Sequence, residues 1–303
     1  MIWTRRKFLT TASAGAFLGA LGIAGARPLE AATRLREFHE LRRGAGFFVG
    51  QGGTIGWLVN ADGCVVVDSQ FPESAQECVD GLEARTSFPL DALVNTHHHG
   101  DHTSGNGVLG SVARTIVAHE RVPELQRQAA QDPDQQTYAD ETFQERWSLT
   151  VGDETITARH YGSAHTGGDA TIRFEEADVV HMGDLVFNRL HPFIDRGGGA
   201  SARGWIQLLE AVAADAGPET LFIFGHGLPD YGVTGNREDV LVQRDYLDAL
   251  LEAATEAAQA GRSRDEAVIL DELPGFPEHQ APSPNLTLER ALGAAYDEVT
   301  EGG

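Results

Sequence analysis

The stretch Ala92-Leu93-Val94-Asn95-Thr96-His97-His98-His99-Gly100-Asp101-His102 runs an apolar, strand-like segment straight into a crowd of imidazoles and one carboxylate. A buried strand that ends in polar residues marks the edge at which α/β folds place their chemistry. His97 and His99 stand two apart on extended backbone, so their side chains leave on the same side. Asp101 and His102 fall where the chain is expected to turn into a helix, within reach of a second point nearby. Imidazoles and carboxylate at this density suit zinc or a similar first-row ion. One such histidine would read as an ordinary structural residue. Four ligand-type residues in six positions are far more specific.

Three later residues repeat this placement. His165 lies in Ser163-Ala164-His165-Thr166-Gly167-Gly168-Asp169, just after a strand-like run. Asp184 follows the short strand Val179-Val180-His181-Met182, and His226 sits between glycines after Leu221-Phe222-Ile223-Phe224. Each alone could be a hydrogen-bonding residue in a turn. Strand ends of one sheet layer share one edge, so the three can meet the first cluster in space.

Around these points strand and helix signals alternate. Phe47 to Val49 and Thr54 to Asn60 flank Gln51-Gly52-Gly53 as a hairpin, and Cys64 to Asp68 is a β-branched run of buried-strand type. A helix is expected over Pro72 to Arg85, a strand over Thr115 to Ala118 and a helix over Arg121 to Gln131. Asp132 to Asp140 reads as a surface loop. Further strands fall at Trp147 to Val151, Thr155 to His160, Ala170 to Phe174 and Thr220 to Phe224. Helices are expected over Ala202 to Ala214, with Trp205, Leu208, Leu209 and Val212 on one face, and over Arg237 to Ala260 and Leu286 to Val299. No repeat and no linker divides residues 27–303, which are expected to form one α/β domain.

The arrangement resembles the metallo-β-lactamase superfamily from about Phe47 to Tyr231. The family pattern His-x-His-x-Asp-His is met by His97, His99, Asp101 and His102, and starting at His98 would put Gly100 on a ligand position. The family's later His, Asp and His are matched by His165, Asp184 and His226. The resemblance implies a four-layer αββα sandwich with two divalent metal ions at one edge, zinc foremost, with iron or manganese as alternatives. It assigns His97, His99 and His165 to one ion, Asp101, His102 and His226 to the other, and Asp184 to both. Asp68 matches a family carboxylate near the site that orients ligands. Asp184 stands where many true β-lactamases carry Cys or Ser and where glyoxalase II-like hydrolases carry Asp. His99 stands where flavodiiron oxidoreductases carry Glu, which disfavours that branch. Glyoxalase II enzymes use basic residues in their C-terminal region, whereas this C-terminal third is acidic and has no lysine. Tyr231 is a poor match to the site tyrosine of lactonase relatives.

The activity so implied is hydrolysis of an ester, thioester, amide or lactam in a small-molecule substrate by metal-bound hydroxide, with Asp101 orienting the nucleophile and handling its proton. Two other readings stay open: an iron-dependent oxidoreductase on the same fold, and a metal-binding accessory protein without turnover. Phe47, Phe48 and Trp57 serve either as an apolar rim or as core, and Arg189 or His191 are placed to meet an anionic substrate from a loop after Asp184.

Thr4-Arg5-Arg6-Lys7-Phe8-Leu9, a weakly apolar run and Ala24-Gly25-Ala26 read as a twin-arginine export signal over residues 1–26. Export by that machinery leads to a periplasmic or secreted enzyme without stable membrane insertion. A formal charge of −22, with Lys7 the only lysine, argues against nucleic acid as a partner. Cys64 and Cys78 are expected to be buried thiols rather than a bridge.

Overall fold

The computed structural model describes residues 37–301, so the expected export signal lies outside the described residues. The first sheet has seven strands in chain order: β1 Phe38–Arg42, β2 Ala45–Phe48, β3 Ile55–Val59, β4 Cys64–Val67, β5 Leu90–Val94, β6 Ile116–His119 and β7 Glu141–Phe143. Its first four strands pair antiparallel, and β4 to β7 run parallel. The second sheet holds β8 Arg146–Val151, β9 Glu154–Arg159, β10 Thr171–Phe174, β11 Val179–His181, β13 Leu221–Ile223 and β15 Thr234–Gly235, in the order β15-β13-β11-β10-β9-β8. Two short segments, β12 Phe187–Asn188 and β14 His226–Gly227, pair parallel beside it.

Side-chain alternation along these strands sorts residues into three apolar layers. Leu58, Val65, Val67, Ala92 and Val94 of the first sheet meet Ile156, Ile172, Phe174, Val179 and Ile223 of the second, forming the layer between the sheets. The intervening residues Trp57, Cys64, Val66 and Leu93 point outward onto Ala75, Cys78, Val79 and Leu82 of helix α1 (Pro72–Glu83). Val180 and Phe222 point outward from the second sheet onto α5 (Ala202–Asp215), α6 (Arg237–Gln259) and α8 (Leu288–Glu301). The shorter helices are α2 (Gly100–Thr103), α3 (Asn106–Leu109), α4 (Val122–Ala129) and α7 (Arg264–Ala267). The result is the expected αββα sandwich. Each fully buried Leu, Val or Phe adds about 1.5–3 kcal/mol, so the sandwich rests mainly on these layers.

Helix ends follow local chemistry. Pro72 begins α1, where a missing N–H costs nothing. Ser201 accepts from the Gly204 amide to start α5, and Asn236 with Asp239 forms a reciprocal cap on α6. Trp205, Leu208, Leu209 and Val212 are buried on one face of α5, as its periodicity predicts. Cys64 and Cys78 are buried free thiols, and burial pushes Cys64 up to about 12. No helix among the described residues is long and apolar enough to cross a membrane.

The sequence pattern does not announce five strands: β1 and β7 at the edges of the first sheet, β15 at the edge of the second, and the two-residue β12 and β14. No residue of β1 is buried, and of β7 only Phe143 is. The expected loop over Asp132 to Asp140 contains one short 3₁₀ turn at Pro133–Gln135.

Candidate metal centre

Parallel pairing puts the functional residues at one edge. Val67 lies opposite Val94, which sets Asp68 level with Asn95 just before the histidine cluster, where its side chain accepts from the Thr96 amide at 2.7 Å. In the second sheet His181 lies opposite Ile223, so the residues that follow, Asp184 and His226, emerge side by side. Asp184 sits in a 3₁₀ turn, Gly183–Leu185, held from behind by Trp205, whose indole N–H donates to the Leu185 carbonyl at 2.9 Å. His226 opens β14, and its pairing with Phe187 stacks the two rings 5.6 Å apart.

The first half of the site gathers His97, His99, His165 and Asp184, whose ligand atoms all lie within 4.8 Å of one another. His99 Nδ1 is 3.1 Å from His97 Nε2 and 3.0 Å from His165 Nε2. Asp184 Oδ2 is 3.9 Å from His97 Nε2 and 3.6 Å from His165 Nε2. The second half gathers Asp101, His102 and His226. His226 Nε2 lies 3.1 Å from Asp101 Oδ2, and the other oxygen of Asp184, Oδ1, lies 2.9 Å from His102 Nε2 and 3.4 Å from His226 Nε2. The two oxygens of Asp184 therefore face different halves, which is the geometry a bridging carboxylate needs.

The donor set fits two first-row ions. Two ligands of one tetrahedral zinc, each about 2.0–2.1 Å from it, stand roughly 3.3 Å apart, close to the separations here. His102 Nε2 and Asp184 Oδ1 are sealed from solvent, and neither completes a hydrogen bond although they face one another. A cation between them would satisfy both.

The remaining ring nitrogens are tied down, which fixes the atoms left for metal. His102 Nδ1 donates to Asp68 Oδ2 at 2.7 Å, and the Thr96 hydroxyl donates to the same oxygen at 2.7 Å while lying 3.0 Å from His97 Nδ1. One buried carboxylate thus contacts His102 directly and His97 through the Thr96 hydroxyl, one residue from each half. It does so from a left-handed backbone (φ 64°) that a non-glycine residue adopts at a cost. His165 Nδ1 donates to the Phe193 carbonyl at 2.7 Å, and His99 Nε2 donates to Asp195 at 3.0 Å.

Close approach leaves no room for a Cβ at two glycines. One at Gly53 would run into the His102 ring, and one at Gly225 would run into Asp184 Oδ1. Thr54, next to Gly53, donates to the Gly225 carbonyl through both its amide and its hydroxyl, at 2.9 and 3.0 Å. The expected hairpin between β2 and β3 therefore reaches over and ties the first sheet to the Gly225 turn that follows β13 of the second.

Electrostatics differ sharply across the centre. Burial, reinforced by the His102 charge, keeps His97 far below the imidazole range, and burial with the neighbouring His99 pushes His165 down to about 3. Burial works the same way on His102 but is overcome by Asp184, Asp101 and Asp68, which hold it well above that range. His226 is likewise carried against burial, by Asp184 and Asp101, to about 9. Burial would raise the carboxyls, yet His102 and His226 draw Asp101 down to about 2 and Asp184 well below its ordinary value.

A cavity of about 600 Å³ opens over the centre, lined by His99, Asp101, Asp184 and His226 and by Phe71, Phe187, Phe193, Leu286 and Arg290. All seven expected ligands and Asp68 thus converge on this edge. Other expectations need correction. Phe48 and Trp57 are core, and Phe47 packs against the layer between the sheets, so the hairpin aromatics form no rim. Arg189 is drawn away to Asp239 at 3.2 Å, and His191 is buried against the Tyr246 hydroxyl. Tyr231 packs on Arg189 and does not line the cavity. Sequence reasoning passed over Thr96, the Phe193 carbonyl, Asp195 and Arg290. Asp195 had one local signal, its place before Gly197-Gly198-Gly199 in a segment already expected to cover the site.

A four-layer sandwich with imidazole and carboxylate ligands at one edge defines a metal-binding, hydrolase-like class of protein. The chain belongs to the metallo-beta-lactamase superfamily, which it matches over residues 49–226. Comparison with curated proteins returns no match. Among solved structures it is similar to the stereoselective inverting sec-alkylsulfatase Pisa1 from Pseudomonas sp., with a TM-score of 0.67 at 18% identity over 86% of this chain. The chain spans about 50% of that sulfatase's length. It is also similar to a metallo-beta-lactamase from Pontibacter korlensis, with a TM-score of 0.60 at 15% identity over 70% of this chain and 98% of the other. The DIM-1 metallo-beta-lactamase gives 0.58 at 15% identity, over 70% of this chain and 96% of the other. At these identities the likeness is one of fold.

Proposed function

We propose that this protein is an exported, zinc-dependent hydrolase with two metal ions, acting on an ester, thioester, amide or lactam of a small molecule. The observation that carries this reading is Asp184, whose two oxygens face the two halves of the centre at 3.6–3.9 Å and 2.9–3.4 Å. His97, His99 and His165 would hold one ion, Asp101, His102 and His226 the other, and Asp184 both. Two zinc ions so held supply Lewis acidity and a hydroxide nucleophile near neutral pH.

The chain's own groups do the rest. Asp101 borders the cavity, is 31% exposed and stays ionised across the neutral range, so it accepts a hydrogen bond from the attacking water and orients it. Phe71, Phe187 and Phe193 wall the reacting group off from bulk water. Hydrolysis consumes one water: its oxygen bonds to the carbonyl carbon, the bond to the leaving atom breaks, and that atom takes up a proton. A sulfate ester belongs among the substrates to be tried, because the alkylsulfatase covers 86% of the chain against 70% for the β-lactamases. Export rests on Arg5-Arg6 and the apolar run that follows.

Elemental analysis coupled to a chromogenic panel tests this. The expected result is two zinc ions per chain, with turnover of at least one ester, thioester, amide or lactam that chelation abolishes and zinc restores. Iron with oxygen uptake would replace the hydrolase by the redox reading, and metal binding without turnover would leave an accessory protein. Cell fractionation, with the mature N-terminus sequenced, tests export.

A further inference from the structure

The cavity over the metal centre is lined unequally. Its floor is made by the ligands, its walls by Phe71, Phe187, Phe193 and Leu286, and Arg290 is the one arginine or lysine on its lining. Arg290 stands in the first turn of α8, where the helix N-terminus already carries partial positive charge and a further cation is disfavoured. Its backbone amide is capped by the Thr287 hydroxyl at 3.3 Å. Among the described residues its guanidinium has no carboxylate at ion-pair distance, and it lies 5.9 Å from the centre of the Phe193 ring.

Among the described residues Arg85, Arg121, Arg237 and Arg262 likewise have no carboxylate at ion-pair distance, but none of them lines the cavity, and other arginines of this acidic chain are paired. Arg114 is taken up by Asp91 at 2.7 Å, Arg189 by Asp239 at 3.2 Å and Arg244 by Glu210 at 3.0 Å. Arg196 and Arg264, which share a neighbouring hollow with Arg290, are held by Glu301 at 2.7 Å and Asp297 at 2.8 Å. Nearby acids thus serve the other two arginines, while Arg290, exposed and without such a partner among the described residues, lines both that hollow and the cavity. Ser283, Asn285, Leu286 and Arg290 all lie beyond residues 49–226, so this wall belongs to the chain's own C-terminal part rather than to the shared domain.

We propose that Arg290 anchors a distal anionic group, so that the substrate has an apolar body with its scissile bond at the metals and a carboxylate-type anion at the remote end. This rests on the hydrolase reading above and names the substrate class of the same site. A guanidinium offers two parallel N–H donors to a carboxylate, and the apolar walls bury the methylene or aromatic stretch between the two ends. Attachment at both ends also fixes the reacting group over the metals.

The test compares zinc-loaded full-length protein with its Arg290→Gln and Arg290→Lys variants. Calorimetric titration with glutarate, adipate and pimelate is set against hexanoate, which offers a carboxylate to the metals and none to Arg290. The wild type is expected to prefer at least one dicarboxylate, Arg290→Gln to lose about tenfold of that preference, and Arg290→Lys to keep part of it. No dicarboxylate preference in the wild type, or one that survives Arg290→Gln, overturns the proposal. In parallel, p-nitrophenyl monoesters of the same diacids are compared with p-nitrophenyl hexanoate, read as the ratio of kcat/KM values. If that ratio is unchanged in Arg290→Gln, the anchor is refuted. If neither these esters nor any thioester, amide or lactam of the chromogenic panel turns over while the dicarboxylate preference holds, the anion subsite stands and the hydrolase reading falls.

Discussion

The two halves of the metal centre use the same residue types yet carry opposite electrostatic character. In the first, His97, His99 and His165 turn ring nitrogens on one another, and burial keeps His97 and His165 neutral. Their lone pairs are available without losing a proton. In the second, His102 and His226 stand among Asp68, Asp101 and Asp184, and those carboxylates hold protons on both rings. Positive charge is demanded there, and in the metal-free protein protons meet the demand. An ion entering the first half displaces no proton from His97 or His165, whereas one entering the second must displace protons from His102 and His226. The first half should therefore fill first.

Asp184 is the one residue whose carboxylate faces both halves, and its removal should erase the contrast. Asp184→Ala is expected to lower kcat/KM by roughly a thousandfold or more, beyond the 10–100-fold typical of a residue that only supports a ligand. It should also leave at most one zinc per chain by elemental analysis. Two tightly held ions in that variant would show that the carboxylate does not bridge.

Next in size is the effect of pH on occupancy. Between about pH 6.5 and 9, affinity in the second half should rise about tenfold per pH unit for each proton displaced. The first half, with His165 at about 3, should vary little across this window. Zinc titrations at pH 6.5 and 8.5 check this. Two sites of equal pH dependence would remove the asymmetry.

Smaller effects come from the groups behind the ligands. Asp68 holds His102 directly and His97 through the Thr96 hydroxyl, so Asp68→Asn should weaken both halves by roughly 10–100-fold. The Asp195 side chain pairs with His99 and its amide donates to the His165 carbonyl at 3.2 Å, so both contacts fall in the first half, and Asp195→Asn should weaken that half alone, by about tenfold. Stepwise zinc affinities separate the two, and loss confined to one half in Asp68→Asn would break the proposed link through Thr96.

How much of this was legible in the sequence follows the range of each interaction. His97, His99, Asp101 and His102 announce themselves because four ligands crowd into one strand end. His165, Asp184 and His226 are readable because each follows an apolar run, and parallel strands bring such ends to one edge. Helix faces were legible for the same reason: Trp205, Leu208, Leu209 and Val212 repeat with helical period. The edge strands β1 and β7 were not, because their pairing is made by backbone hydrogen bonds while only Phe143 among their side chains is buried. Asp195 and the Phe193 carbonyl reach His99 and His165 from irregular backbone far along the chain, and no local pattern encodes that contact. Arg290 could not be distinguished from any other arginine until its neighbours were known to have partners. Arg189 failed as an expected substrate contact for the converse reason, since Asp239 had already claimed it.

The smallest predicted effect concerns stability without metal, and it sharpens the contrast by its sign. His226 is raised in the folded protein to about 9 from an ordinary 6.5, so the stability it adds is fully present below about pH 6.5 and is lost as pH rises through 9. His165 is depressed to about 3, so its contribution is present above about pH 6.5 and is lost as pH falls towards 3. The two halves thus pull in opposite directions, and chelator-treated protein should be most stable near pH 6.5. Thermal melts should show Tm falling by roughly a few degrees between pH 6.5 and 9. His226→Gln should make that limb shallower, with the raised His102 supplying what remains, while leaving the acid limb in place. A Tm that climbs steadily to pH 9 would mean that the carboxylates around His102 and His226 do not hold protons there, and the electrostatic difference between the halves would vanish.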